Sequence, residues 1–174
     1  NLGLFYGMGK NKLQAELGTN KQDAEDLFAK YHSRVPFVKQ LMNAVMQRAQ
    51  DSGKIRTLLG RLCRFHLWEP NQFGIHKPLS HEAALAEHGP GIKRAYTYKA
   101  LNKLIQGSAA DMTKKAMIEL YKEGITPHIQ VHDELDISVS NNEDKIKEIM
   151  EHAVDLEVPN KVDYEHGINW GSIK

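Results

Sequence analysis

The sequence predicts an α+β fold, with helices dominating the first half and antiparallel strands packed on helices in the second. Three observations carry that reading. Apolar residues recur at helical spacing over residues 20–52 and again over roughly 93–122. Period-two alternation flanks two turn signals, Gly60-Arg61 and His132-Asp133-Glu134. A capping signature, Ser140 with Glu143, then opens one more helix before a last extended run.

Taken in order, residues 1–18 carry Leu2, Phe5, Tyr6, Leu13 and Leu17 at helical spacings interrupted by Gly3, Gly7 and Gly9, which predicts a helix that ends or bends near Gly7–Gly9. A helix from about Asn20 to His32 starts at a Thr19/Asn20 cap and carries Asp23 and Glu25 in its first turns. Pro36 suits the first turn of the next helix, whose stripe is Val38, Leu41, Met42, Val45 and Ala49 and whose end is Gly53. Ile55, Thr57 and Leu59 alternate into a hairpin at Gly60-Arg61. Residues 66–91, rich in Pro, His and Gly, hold one short helix capped by Ser80 and stopped by Gly89-Pro90. A long helix is expected over Lys93 to Lys122, burying Leu101, Ile105, Ala109, Met112 and Ala116, with Gly124 after it. The hairpin around His132-Asp133-Glu134 follows, with Ile129 and Val131 before the bend and Leu135, Ile137 and Val139 after it. Next come a helix carrying Ile146, Ile149, Met150 and Ala153, and a closing strand with Val162 and Tyr164. Together these suggest one antiparallel sheet backed by helices.

Composition narrows the class. A chain of 174 residues, 41% hydrophobic, can bury one sizeable core or two small ones. The 23 Lys+Arg nearly cancel the 22 Asp+Glu, so net charge announces no polyanion partner. The local clusters Lys54, Arg56, Arg61 and Arg64, then Lys93, Arg94, Lys99 and Lys103, are the kind that usually solvate a surface, and only geometry can promote them to phosphate contacts. The lone Cys63 excludes an internal disulfide framework and fits a reducing compartment. No apolar run reaches membrane-spanning length. The chain begins Asn-Leu-Gly in what reads as the middle of an element, as a piece of something longer does.

Two constellations carry chemistry. Adjacent carboxylates at a hairpin tip repel each other and favour a divalent cation, and an oxygen-rich, partly exposed site suits Mg²⁺; an ordinary charged turn is the other reading of His132-Asp133-Glu134. Asn102 and Gln106 lie four apart on the long helix and project from one face. Such amides can hydrogen-bond within the protein. They can also probe a duplex minor groove, where every correct base pair presents acceptors at purine N3 and pyrimidine O2, so that donors check shape without reading sequence.

At this point the motifs resemble a family. Asn1-Leu2-Gly3-Leu4-Phe5-Tyr6-Gly7-Met8 resembles the end of the fingers helix of family A DNA polymerases. Leu101-Asn102 through Ile105-Gln106-Gly107-Ser108-Ala109-Ala110-Asp111 is similar to their palm helix. Gln130-Val131-His132-Asp133-Glu134 resembles their third polymerase motif, Asn169-Trp170-Gly171 their carboxyl end, and the Thr57-Leu58-Leu59-Gly60-Arg61 turn also fits. The order and rough spacing agree along the whole chain.

The resemblance implies an incomplete right-hand polymerase fold. Residues 1–91 would form the C-terminal part of the fingers with a hairpin and a loop-rich insertion, and residues 92–174 the C-terminal part of the palm. It implies that Asp133 ligates two catalytic Mg²⁺ ions with support from Glu134, and that His132 touches the primer-terminal phosphate. Asn102, Gln106 and Arg61 would follow the minor groove, while Leu2, Tyr6 and Gly7 would meet the incoming nucleotide and template base. The implied partners are primer-template DNA, a dNTP and the missing N-terminal portion of the polymerase, without a membrane. The implied setting is cytoplasmic, in a bacterial host if the source is viral.

The departures carry expectations of their own. Leu2 stands where most relatives have Phe or Tyr, a variant similar to many bacteriophage replicative polymerases, and altered discrimination at the sugar 3′ position is expected from it. Tyr98 stands where some relatives have an arginine. The family's first aspartate motif lies upstream of residue 1, so the chain alone is expected to be inactive. The alternative is a non-catalytic nucleic-acid-binding fragment. A zinc protein using His76, His81 and His88 has no compact ligand spacing. A hydrolase pairing His132 with Asp133 is disfavoured because neighbours in a strand point to opposite faces.

Overall fold

Local signals explain most of the elements in the computed structural model, which describes residues 2–5, 8–72, 74–138 and 140–173, with the backbone alone at Leu2 and Phe5. Helix α1 (Leu2–Phe5) and helix α2 (Lys10–Leu17) are separated around Gly9, as the glycines predict. Helix α3 (Lys21–Arg34) starts at Asn20, whose side-chain oxygen accepts from the Asp23 amide at 2.9 Å. Helix α4 (Pro36–Ser52) has proline at its first turn and ends at Gly53, whose φ of 68° is the left-handed conformation a non-glycine residue resists. Val38 and Ala49 of its stripe are buried, whereas Leu41 stays 37% exposed.

Strands β1 (Lys54–Arg56) and β2 (Leu62–Arg64) pair antiparallel with Ile55 opposite Cys63. The turn is closed by the Thr57 amide on the Arg61 carbonyl at 2.9 Å and the Arg61 amide on Thr57 Oγ1 at 3.0 Å. Ile55 and Thr57 are buried as the alternation predicts, but Leu59 lies in the turn and is 48% exposed. Strands β3 (Trp68–Pro70) and β4 (Ile92–Arg94) form a second antiparallel pair, with helix α5 (His81–His88) between them in sequence. The Ser80 hydroxyl caps α5 by accepting from the Ala83 amide.

The long helix α6 covers Ala100–Lys122, not Lys93–Lys122 as its spacing suggested. Residues 92–94 are held extended by Trp68–Pro70, and Tyr96 takes a φ of 62° before a 3₁₀ turn at Thr97–Lys99. Cross-strand pairing overrides helical propensity there. Of the expected stripe, Leu101 and Ala116 are buried but Ala109 is exposed, and Asp111 is buried instead.

The chain divides into two compact units, residues 1–105 and 106–174, with α6 contributing to both. The first unit gathers a core of Ala49, Ile55, Phe65 and Ala100, with Val45, Met46, Cys63 and Leu104 packed on it. The second gathers Leu120, Ile125 and Ile146, with Leu135, Ile137, Ile149 and Met150. Its elements are the C-terminal part of α6, the antiparallel pair β5 (Ile129–Val131) and β6 (Glu134–Asp136), and helix α7 (Glu143–His152).

Three further expectations change. The Ser140–Glu143 capping box is not formed: Asn142 is the N-cap, and its Oδ1 accepts from the Ser140 amide at 3.1 Å, because Asn141 turns the chain with a φ of 59°. No closing strand forms at Val162 and Tyr164. Among the described residues no strand pairs with that segment, and the Val162 amide is tied to Glu151 Oε1 at 3.1 Å instead. In place of one sheet, the described residues form three separate two-stranded antiparallel sheets. The α+β class stands. Among the described residues no helix is long and apolar enough to cross a membrane.

Candidate functional site

Three of the predicted site residues, His132, Asp133 and Glu134, lie together on the β5–β6 hairpin. Val131 pairs with Glu134, leaving His132 and Asp133 as a two-residue loop. His132 carries a φ of 52°, a left-handed conformation that costs a non-glycine residue on the order of 1–3 kcal/mol. The Gln130 side-chain amide steadies it by donating to the His132 carbonyl at 3.1 Å. At the open end, the His128 amide donates to the Asp136 carbonyl at 2.9 Å, and His128 Nε2 meets Ser138 Oγ at 3.0 Å.

His132 and Asp133 are thus turn residues, at the bend the flanking alternation predicted and not the strand neighbours assumed in disfavouring a hydrolase pair, and Glu134 opens β6. All three side chains are exposed. The hairpin tip therefore presents two carboxylates and an imidazole to solvent, His132 and Asp133 from the loop and Glu134 from the start of β6. Such hard oxygen donors suit Mg²⁺. Among the described residues no group of three or more His, Cys, Asp or Glu is arranged to hold a metal ion. Asp133 and Glu134 therefore fit Mg²⁺ as part of a ligand set and do not close one by themselves.

Asn102 and Gln106 both lie in α6. Asn102 is half-buried, and its Oδ1 is shut off from solvent without a hydrogen-bond partner, whereas Gln106 is exposed. A buried amide oxygen left unpaired costs about 1–3 kcal/mol. Arg61 is exposed at the β1–β2 turn. Leu2 is in α1, its side chain outside the described residues, and Tyr6 and Gly7 lie outside them altogether.

Comparison with known proteins decides the family. The sequence profile described as DNA polymerase family A matches residues 1–172. The chain belongs to DNA polymerase family A. Among curated family A relatives, a DNA-directed DNA polymerase of Pseudomonas phage M6 is 32% identical over 206 residues, covering 98% of this chain and 28% of the relative. DNA polymerase I of Geobacillus stearothermophilus is 33% identical over 185 residues, covering 100% of the chain and 19% of the relative. The chain thus spans under a third of these relatives' length. Among solved structures, the POL domain of Pol1 from M. smegmatis, in complex with DNA primer-template and dNTP, superposes with a TM-score of 0.65 at 28% identity. That match covers 91% of this chain and 27% of that one. Mixed helices and antiparallel sheets are therefore this family A chain's fold as well as its sequence class.

Sequence reasoning missed one group of residues. Glu69 is 3% exposed, with His76 Nδ1 at 3.4 Å from one oxygen and Lys93 Nζ at 4.0 Å from the other. Arg94 donates to the carbonyls of Gln50 and Phe65 at 3.0 Å each and lies 4.5 Å from the Trp68 ring centroid. The available signal was the alternation of aromatic and basic residues at Trp68 and again at Arg94–Lys99.

Proposed function

We propose that this chain takes part in template-directed DNA synthesis, transferring nucleotides from dNTP to a primer 3′-hydroxyl on primer-template DNA. The observation that carries the reading is the exposed Asp133-Glu134 pair on the strained His132 turn, in a chain of DNA polymerase family A. In the reaction the primer 3′-oxygen bonds to the α-phosphorus and the bond to pyrophosphate breaks. Asp133, supported by Glu134, would hold Mg²⁺. When bound, two such ions lower the pKa of the 3′-hydroxyl and neutralise charge on the triphosphate and leaving group.

The chain's own residues bind and orient. His132, held outward by its turn, contacts the primer-terminal phosphate. Asn102, Gln106 and Arg61 donate to minor-groove acceptors near the new pair, with the side-chain NH₂ groups of Asn102 and Gln106, four apart on α6, as donors. Leu2, Tyr6 and Gly7 line the nucleotide and template base. Leucine at position 2 favours a bacteriophage type of enzyme with altered choice at the sugar 3′ position, read out as a changed dideoxy-to-deoxynucleotide preference in Leu2→Phe.

One carboxylate cannot clamp two ions, so a second aspartate comes from polymerase sequence outside residues 1–174. The reading predicts no primer extension by the 174-residue chain alone, and extension when it is joined to the portion that precedes its counterpart in the relatives. The decisive test is Asp133→Ala in that assembled enzyme. Extension should fall by at least about 10³-fold while duplex affinity stays close to wild type. Unchanged extension would reduce the chain to a nucleic-acid-binding fragment.

A further inference from the structure

The first unit holds a group of rings and cations that neither its core nor the residues above use. Tyr98 is 53% exposed. Its ring centroid lies 6.2 Å from that of His76 and 6.5 Å from that of Tyr96. Lys99 Nζ lies 5.0 Å from the Tyr96 centroid and 5.6 Å from the Tyr98 centroid. The group is anchored from beneath. Glu69 is buried and holds His76 at 3.4 Å and Lys93 at 4.0 Å, while Tyr96 is fixed by its left-handed backbone. His76 is nonetheless 62% exposed along its side chain. Lys77, next to it, is 65% exposed along its side chain and lies 4.0 Å from Glu87, which is 51% exposed.

These rings belong to no core cluster; Tyr98 is exposed and Tyr96 half-buried, with the Lys99 ammonium over both, so aromatic surface and positive charge lie side by side. That pairing suits one ligand chemistry. Unpaired bases stack on exposed rings while the backbone phosphates follow the cations. A duplex keeps its base faces stacked inside and offers them nothing, and an acidic peptide would use the lysines but not the rings.

We propose that His76, Tyr96 and Tyr98, together with Lys77, Lys93 and Lys99, form a stacking platform for single-stranded DNA. Naming DNA as the strand rests on the function proposed above; the stacking itself does not. The strand comes either from template ahead of the primer end or from a displaced strand, and both present the same chemistry.

The test is fluorescence anisotropy of the whole polymerase containing this chain, with a labelled oligo-dT and a blunt duplex of equal length. Tyr98→Ala should weaken oligo-dT binding about tenfold and blunt-duplex binding less than about twofold, while Tyr98→Phe keeps most of the affinity. Lys99→Ala should lower the slope of log affinity against log salt by about 0.7 on the single strand. Repeating the measurement on a primer-template with a long template overhang, and on a nicked duplex with a displaced 5′ strand, identifies the source by which one depends on Tyr98. Wild-type oligo-dT affinity in Tyr98→Ala, or an equal loss on blunt duplex, overturns the platform. Asp133→Ala keeps the two readings apart. If it abolishes extension while Tyr98→Ala binds normally, the platform alone fails. If it extends like wild type while Tyr98→Ala loses the single strand, the polymerase role fails and the platform stands.

Discussion

Gly53 is where one hydrogen atom separates two structural elements, and Gly53→Ala tests how the first unit is tied together. Its φ of 68° places it in the left-handed region, where an alanine costs about 1–2 kcal/mol. An added Cβ would also lie 2.7 Å from the Arg94 Cζ and from one terminal nitrogen. A free arginine would swing aside at little cost, but Arg94 is held by the Gln50 and Phe65 carbonyls and stacked on Trp68. Moving it forfeits charge-assisted hydrogen bonds worth about 1.5–3 kcal/mol each when intact, of which partial exposure lets water replace much. The expected total is roughly 2–4 kcal/mol. Gly60→Ala is the control, because its φ of 87° gives comparable strain with nothing within 4 Å of the new Cβ; it should cost only about 1–2 kcal/mol. Urea denaturation of both variants, repeated in an Arg94→Ala background, forms a double-mutant cycle. With the guanidinium gone, Gly53→Ala should drop to the Gly60 value. An identical cost in both backgrounds would refute the proposed clash.

Two further predictions concern the second unit and the helix that enters it. The Val162 amide, and then Lys161, hold the Glu151 carboxyl below the usual glutamate range against the opposing effect of burial. A lowered folded-state pKa means that the tether is fully present above the ordinary glutamate value and is lost as pH falls through the lowered one. Hydrogen exchange should therefore show Val162 protection declining in acid beyond the intrinsic change in exchange rate, with Glu151→Ala already unprotected at neutral pH; protection indifferent to both would remove the tether. For Asn102→Leu, thermal unfolding should show stability equal to or up to about 1 kcal/mol above wild type, since a buried unpaired oxygen is exchanged for an apolar group. Primer extension by the assembled enzyme should nevertheless fall, and a variant that loses stability and activity together would argue for a packing role.

What the sequence revealed divides along the range of the forces involved. Asn20, Ser80, Pro36 and Gly53 act within a few residues, through a side-chain cap, a preset φ or a left-handed stop, and each fixed its helix boundary as read. The β1–β2 and β5–β6 hairpins were equally legible, because the strand signal and the turn lie in one short window. The β3–β4 pair was not legible. Its three-residue strands are separated by α5, and Ile92–Arg94 continues without a break into helix-favouring sequence. Only the partner at Trp68–Pro70 makes it extended, and no local pattern encodes a partner that distant. The same reasoning covers the missing final strand, where Val162 and Tyr164 alternate correctly but Glu151 takes the Val162 amide that a neighbouring strand would need.

At the candidate site the residue types and the bend were readable, and the two-residue turn with its backbone conformation was not. Alternation on both sides put His132-Asp133-Glu134 at the bend of a hairpin; pairing of Val131 with Glu134 narrows that bend to His132 and Asp133 and brings His132 to positive φ. That difference bears on chemistry. A strand would have hidden one of the two side chains, but the turn presents an imidazole and two carboxylates together to whatever approaches the hairpin tip. Strain of this size persists only where surrounding contacts over-determine it. Here the β5–β6 ladder and the Gln130 amide supply them, so a Gln130→Ala variant that leaves the ladder intact should loosen His132 before it loosens Asp133.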